Sequence, residues 1–164
     1  LNSRLLNFYF KEKYSSMHIS GGYLRFRKQF IEKVPIIKDA DPELEGSLIN
    51  QVNVIIKLQQ KLQRIITHFI ELLQSKFDLK KLSKKLQNWH ELEFKDFLKE
   101  LKKAKVALSL SEEAEWMQYF TEQKKKAQEL KSEIDRVDGE IDQMVYQLYG
   151  LTEEEIKVVE GIDD

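Results

Sequence analysis

Two long apolar stripes organise this chain. Between Leu44 and Ser75 apolar residues recur every three or four positions, through Leu48, Val52, Ile55, Leu62, Ile66, Phe69 and Leu73. That spacing is one buried face of an α-helix. Ile49, Ile56 and Ile70 widen the stripe, and Gln59 is its one polar interruption. A second stripe runs through Trp116, Phe120, Gln123, Ala127, Leu130, Ile134, Val137, Ile141, Met144 and Leu148, a heptad-like seam. A single helix gains most of its stability from packing. The helices 44–75 and 112–148 are therefore expected to bury their seams against each other as an antiparallel coiled-coil-like pair. Gln59 and Gln123 are candidates for fixing its register.

The remaining elements follow from local signals. Residues 3–14 read as a helix with Ser3 at its N-cap. Gly21-Gly22 marks a turn. Tyr23 to Phe26 and Lys33 to Ile37 alternate as short strands do, and Pro35 makes the second an edge strand. Asp39-Ala-Asp-Pro-Glu43 is a linker and helix start whose acidic groups suit the helix dipole. Residues 77–106 hold shorter helices, with Ser83 a cap and Glu93 to Lys103 amphipathic. Leu108-Ser-Leu-Ser111 connects to the second long helix, whose start is placed at Ser111. Gly139 costs that helix about 1 kcal/mol relative to Ala, and Gly150 ends it. Thr152 with Glu155 has the form of a capping box and opens a short helix over 152–160. The fold class expected is mainly α, with a small α+β remnant at the N-terminus. Residues 1–38 form one domain and residues 39–164 a helical one.

Composition narrows the chemistry. There is no cysteine, so disulfides and thiolate metal sites are excluded. No window approaches the apolar run of roughly 18 residues that spans a bilayer, and a soluble, cytoplasmic protein is expected. The formal net charge of −1 conceals an asymmetry. Residues 1–38 carry +6, residues 39–50 carry −4, residues 51–110 carry +7 and residues 111–164 carry −10. Two accounts fit: helix faces that pair with one another, or a basic end that meets phosphate.

A catalytic constellation is not apparent. His18, His68 and His90 are isolated, with no pair at the spacing of a helical zinc site. Asp78, Glu93 and Lys95 lie in a helical pattern rather than on the strands of a metal nuclease. Trp116, Met117, Tyr119 and Phe120 read as core at a helix end. No metal and no cofactor is expected within these residues.

The basic N-terminal stretch is the candidate site. It interleaves eight Lys or Arg with seven Phe or Tyr around Gly21-Gly22, a composition suited to a polyanion. Arg25 and Arg27 can pair with guanine edges or phosphate, and Lys28 can neutralise phosphate. Ser16, Ser20 and the amides of Gly21 and Gly22 offer short phosphate donors, while His18 and Tyr23 can touch a base or sugar. The alternative is a surface hairpin with Tyr23 and Phe26 packed inward and solvated arginines.

Three strings carry a resemblance: LNSRLLNFYF, SSMHISGGYLRFRKQFIEKVPI and IDQMVYQLYGLTEEEIKVVEG. They resemble the C-terminal specificity domain of TaqI-like, type IIG restriction-modification enzymes, which are adenine-specific DNA methyltransferases often fused to a nuclease. The Asn-Ser near a helix start, the Gly-Gly-Tyr-x-Arg-Phe run and Val-Pro-Ile are also similar to type I specificity subunits. The resemblance implies double-stranded DNA as a partner. It also implies an upstream methyltransferase domain that binds S-adenosylmethionine and methylates a flipped adenine. Neither an Asn-Pro-Pro-Tyr motif nor a glycine-rich cofactor motif occurs here, so that chemistry would belong to the parent. The chain lacks an initiator Met and opens inside an amphipathic helix, as a piece of a longer protein would. The expected function is a non-catalytic DNA-recognition fragment. A specificity subunit recruiting methylase and nuclease chains is the alternative, as is a helical scaffold without DNA binding. A homodimer through the long helices is compatible with each.

Overall fold

The structure is a computed structural model that describes residues 3–14 and 28–162. All regular secondary structure among the described residues is helical, so the chain is mainly α as expected. The elements are α1 (Arg4–Tyr14), α2 (Lys28–Ile31), α3 (Pro42–Phe77), α4 (Lys84–Gln87), a 3₁₀ turn (Trp89–Glu91), α5 (Phe94–Lys103), α6 (Leu110–Tyr149) and α7 (Glu153–Glu160). The predicted turn at Gly21-Gly22 and strand at Tyr23 to Phe26 lie outside the described residues. Lys33 to Ile37 is a correction: it is turn and irregular chain, not an edge strand. Pro35 removes one ladder donor, and no described strand lies beside it to supply a ladder.

The long helices form where the stripes predicted them, because their ends are well capped. Asp41 Oδ1 accepts the Glu43 N–H at 2.9 Å, Pro42 takes the first helical position, and Glu43 and Glu45 sit in the first turn of α3. At the other end Asp78 adopts φ +49° and the Leu79 N–H reaches back to the Gln74 carbonyl at 3.1 Å, a Schellman-type stop. The start of α6 differs from expectation. Its cap is Ser109, whose Oγ accepts the Glu112 N–H at 3.3 Å while Glu112 accepts the Ser109 N–H at 3.0 Å. Ser109 and Glu112 are separated by three positions, as a capping box requires, and Ser111 has no acidic residue at that spacing. Gly150, at φ +65°, closes α6, and α7 has the full Thr152–Glu155 capping box.

The chain divides into two compact units, Leu1–Asn53 with Val137–Asp164, and Val54–Arg136. The second has an aromatic core. Phe69 of α3 is its hub, stacked on Trp89 with ring centroids 3.8 Å apart and meeting Phe97, Trp116 and Phe120 edge-on at 5.8, 5.8 and 6.0 Å. Leu73, Leu86 and Leu101 fill the spaces between these rings. As expected, Trp116 and Phe120 are core, although Met117 on the same helix is 54% exposed. His68 is exposed on α3.

The first unit is built differently. Phe10 and Tyr14 of α1 form a small cluster with Tyr9 and Val34, and α1 packs on α7. Val137, Val145 and Tyr146 of α6 are buried here beside a carboxylate, Asp142. Gln51 of α3 donates to Glu140 Oε2 at 3.0 Å.

Candidate functional site

The first unit contains the groups that hold the N-terminal segment, so its geometry decides what that segment could do. Of the residues expected at DNA, Ser16, His18, Ser20, Gly21, Gly22, Tyr23, Arg25 and Arg27 lie outside the described residues. Lys28 is described. It stands at the start of α2 with its side chain 91% exposed, its Nζ 3.6 Å from Glu32 Oε1 one turn on. An exposed pair of this kind holds its partners weakly, leaving the ammonium available to solvent and to anions.

The chain on either side of residues 15–27 is fixed. Before it, Phe10 and Tyr14 are buried with their rings 5.3 Å apart. After it, Val34 packs on that cluster. Two tyrosines tie the returning chain down: the Tyr9 hydroxyl donates to the Lys33 carbonyl at 3.2 Å, and the Tyr149 hydroxyl donates to the Pro35 carbonyl at 2.7 Å. Lys13 donates to the Tyr9 hydroxyl at 2.7 Å, and that bond holds the exposed ammonium above its ordinary pKa.

Beneath α1 lies a charged cluster that sequence reasoning missed. Asp142 Oδ1 accepts the Arg4 backbone N–H at 2.9 Å, and Arg4 Nε lies 3.1 Å from Oδ2. The guanidinium also reaches Glu160 Oε1 at 3.6 Å, to which the Tyr146 hydroxyl donates at 3.5 Å. The Asp142 side chain is 4% exposed and that of Arg4 56%. Two influences therefore oppose each other at Asp142. Burial, reinforced by Asp138 and Glu160, raises its pKa, and the Arg4 N–H and guanidinium lower it without fully offsetting that rise. The same burial, with the neighbouring carboxylates, pushes the Tyr146 hydroxyl up to about 12. The arrangement anchors the start of α1 across 138 residues of sequence. It offers no nucleophile paired with a base. Among the described residues, no three His, Asp or Glu come together so as to hold a metal ion, and Asp78, Glu93 and Lys95 form no such group.

Residues 41–145 match a protein family described as "Domain of unknown function (DUF8810)", and the chain belongs to that family. No curated protein and no solved structure matches the chain. The family span covers the bulk of both long helices and excludes α1, α2, α7 and the basic N-terminal stretch. No helix among the described residues is long and apolar enough to cross a membrane.

Proposed function

We propose that this chain is the DNA-recognition part of a type IIG restriction-modification adenine methyltransferase, non-catalytic by itself. The basic segment 15–28 meets double-stranded DNA. An upstream domain of the parent binds S-adenosylmethionine and performs the methyl transfer. The helices α3 and α6 act as an antiparallel coiled-coil-like pair that orients the reading segment. The observation that carries the proposal is the fixed base on both sides of residues 15–27, with Tyr14 buried before it and Tyr9 and Tyr149 bonded to the chain after it. A segment rich in Arg, Lys and Ser between two anchored ends loses less entropy on meeting a ligand than a free tail would. Support for the helical pair comes from the Gln51–Glu140 bond and from Phe69 against Trp116 and Phe120.

The test is duplex binding by the full chain, followed by fluorescence anisotropy over a salt series. Replacing Arg25 and Arg27 together by Ala should weaken binding and flatten the salt slope by about one unit per lost phosphate contact. Unchanged affinity and slope would remove these residues from the interface. A second reading, a helical scaffold without DNA, has one observation in its favour: Ile49 and Ile56 on α3 are 55% and 45% exposed. It predicts a dimer by sedimentation and no duplex binding even at about 50 mM salt.

A further inference from the structure

A cleft of about 710 Å³ opens on the second unit, between one face of α3, the loop that follows it and the 3₁₀ turn. Its volume lies within the range of small-ligand sites, about 300–1,000 Å³. Ile66, Ile70 and Leu82 give it an apolar lining, Lys80 and Lys81 stand at its edge, and no acidic side chain lines it. Neither lysine takes part in an ion pair among the described residues, and Lys84 and Lys85, which follow them in sequence, take part in none either.

The walls are built in advance. The Gln74 amide donates to the Leu79 carbonyl at 3.0 Å and the Gln87 amide to the Leu82 carbonyl at 3.1 Å. Together they hold the loop that carries both lysines. The Trp89 indole N–H donates to the Ile66 carbonyl at 3.4 Å and pins the 3₁₀ turn to α3. Gln74 and Gln87 themselves line the cleft. Asn88 makes no side-chain capping bond and keeps a donor and an acceptor. His90 Nδ1 is buried without a hydrogen-bond partner, a state that is uncommon unless a ligand or water completes it. Burial lowers the pKa of this imidazole against the opposing pull of Glu91, with Lys131 adding to the fall. Burial and Lys131 both favour the neutral ring.

Cations without partners beside an apolar wall fringed by amides match one ligand chemistry well. A phosphate is bound by ammonium groups, and a purine face is apolar while its edge pairs with amides. We propose that this cleft binds a nucleoside phosphate, with Lys80 and Lys81 on the phosphate and the base against Ile66, Ile70 and Leu82 within reach of Asn88. The nucleotide is either free or the 5′-phosphorylated end of a single strand. This site is independent of residues 15–28, so it can fail without touching the DNA proposal.

Calorimetric titration of the full chain with AMP, with adenosine and with a short 5′-phosphorylated oligodeoxyadenylate tests the idea. Binding of AMP identifies a free nucleotide, and binding of the oligonucleotide alone identifies a strand end. In either case Lys80→Ala with Lys81→Ala should weaken binding roughly tenfold or more, and Asn88→Ala should weaken it less. Lys125→Ala, on an exposed turn of α6 facing Glu129, should change nothing. Melting curves read by circular dichroism check that the variants fold. The proposal is overturned if neither phosphate compound binds at millimolar concentration. It is equally overturned if adenosine binds as well as AMP, or if the double lysine variant binds as the unaltered chain does.

Discussion

Among the described residues each unit buries one carboxylate, and the two behave in opposite ways. Glu100, in the second unit, has a side chain only 6% exposed, yet Lys103 Nζ reaches it at 2.7 Å and the Ser83 hydroxyl donates to it at 2.8 Å. Those two bonds outweigh burial and hold its pKa below the ordinary value. Asp142, in the first unit, has an arginine beside it, yet burial prevails and its pKa is raised. The difference lies in what surrounds each group. Glu100 lies on a short helix whose own next turn supplies the ammonium, and Lys85 adds a second cation whose charge also lowers its pKa. Asp142 lies among Asp138, Glu160 and apolar side chains, and its one cation comes from the far end of the chain. A buried charge in the second unit thus takes its ammonium from its own helix and a hydroxyl from 17 residues away, whereas in the first unit its cation comes from 138 residues away.

The largest expected effect lies in the aromatic core. Trp89→Ala removes the ring stacked on Phe69 together with the bond to Ile66. It should cost about 3–5 kcal/mol in urea denaturation followed by far-ultraviolet circular dichroism. A loss under about 1 kcal/mol would mean that Phe69 does not organise this unit. Arg4→Ala comes next. It strips the buried Asp142 of its guanidinium while leaving the backbone bond, so about 1–3 kcal/mol should be lost, toward the lower end because Arg4 is half exposed. Adding Asp142→Asn should restore part of that loss. If the double variant were no better than Arg4→Ala alone, the cluster would not be acting through charge.

The contrast also has a pH signature with opposite signs. The raised pKa of Asp142 contributes stability that is fully present below 3.8 and lost as pH rises through the folded-state value. The lowered pKa of Glu100 contributes stability present above 4.5 and lost as pH falls through its folded-state value. Urea midpoints across the carboxylate range should therefore show Asp142→Asn gaining on the unaltered chain as pH rises. Glu100→Gln should fall further behind over the same range. Parallel trends in the two variants would break the comparison. Glu155 of the first unit shifts down through its bonds to Thr152, so the opposition belongs to the two buried groups and not to the units as wholes.

What could be read in advance follows the same division between local and distant causes. Helix periods, the Ser83 cap, the Gly150 stop and the Thr152–Glu155 box are written within a few residues, and the structure has each of them. The ends of α3 and α5 were legible to within two residues, but how they are made was not, because Asp78 and Lys105 both take positive φ without glycine. A left-handed non-glycine residue is held by its surroundings, not announced by its type. Asp142 was invisible for a related reason: nothing near it in sequence distinguishes it from the exposed acids of α6. The cleft was equally hidden. Its two lysines are among thirteen basic residues between 51 and 110, and only the fold places them beside Ile66, Asn88 and His90.

The smallest effect probes how far α6 depends on packing in the first unit. Gly139 lies inside that helix, and a Cβ built there would meet nothing within 4 Å. Glycine in a helix interior is less favourable than alanine by roughly 0.5–1 kcal/mol, chiefly because the unfolded chain is freer. Gly139→Ala should therefore raise the urea midpoint by a corresponding amount without changing the slope. The substitution adds no contact, so such a gain would show that helix propensity contributes to holding α6 beside Asp142. A loss would require the backbone at Gly139 to approach a neighbour closely in solution, since open space and helical geometry leave alanine no other way to destabilise this position.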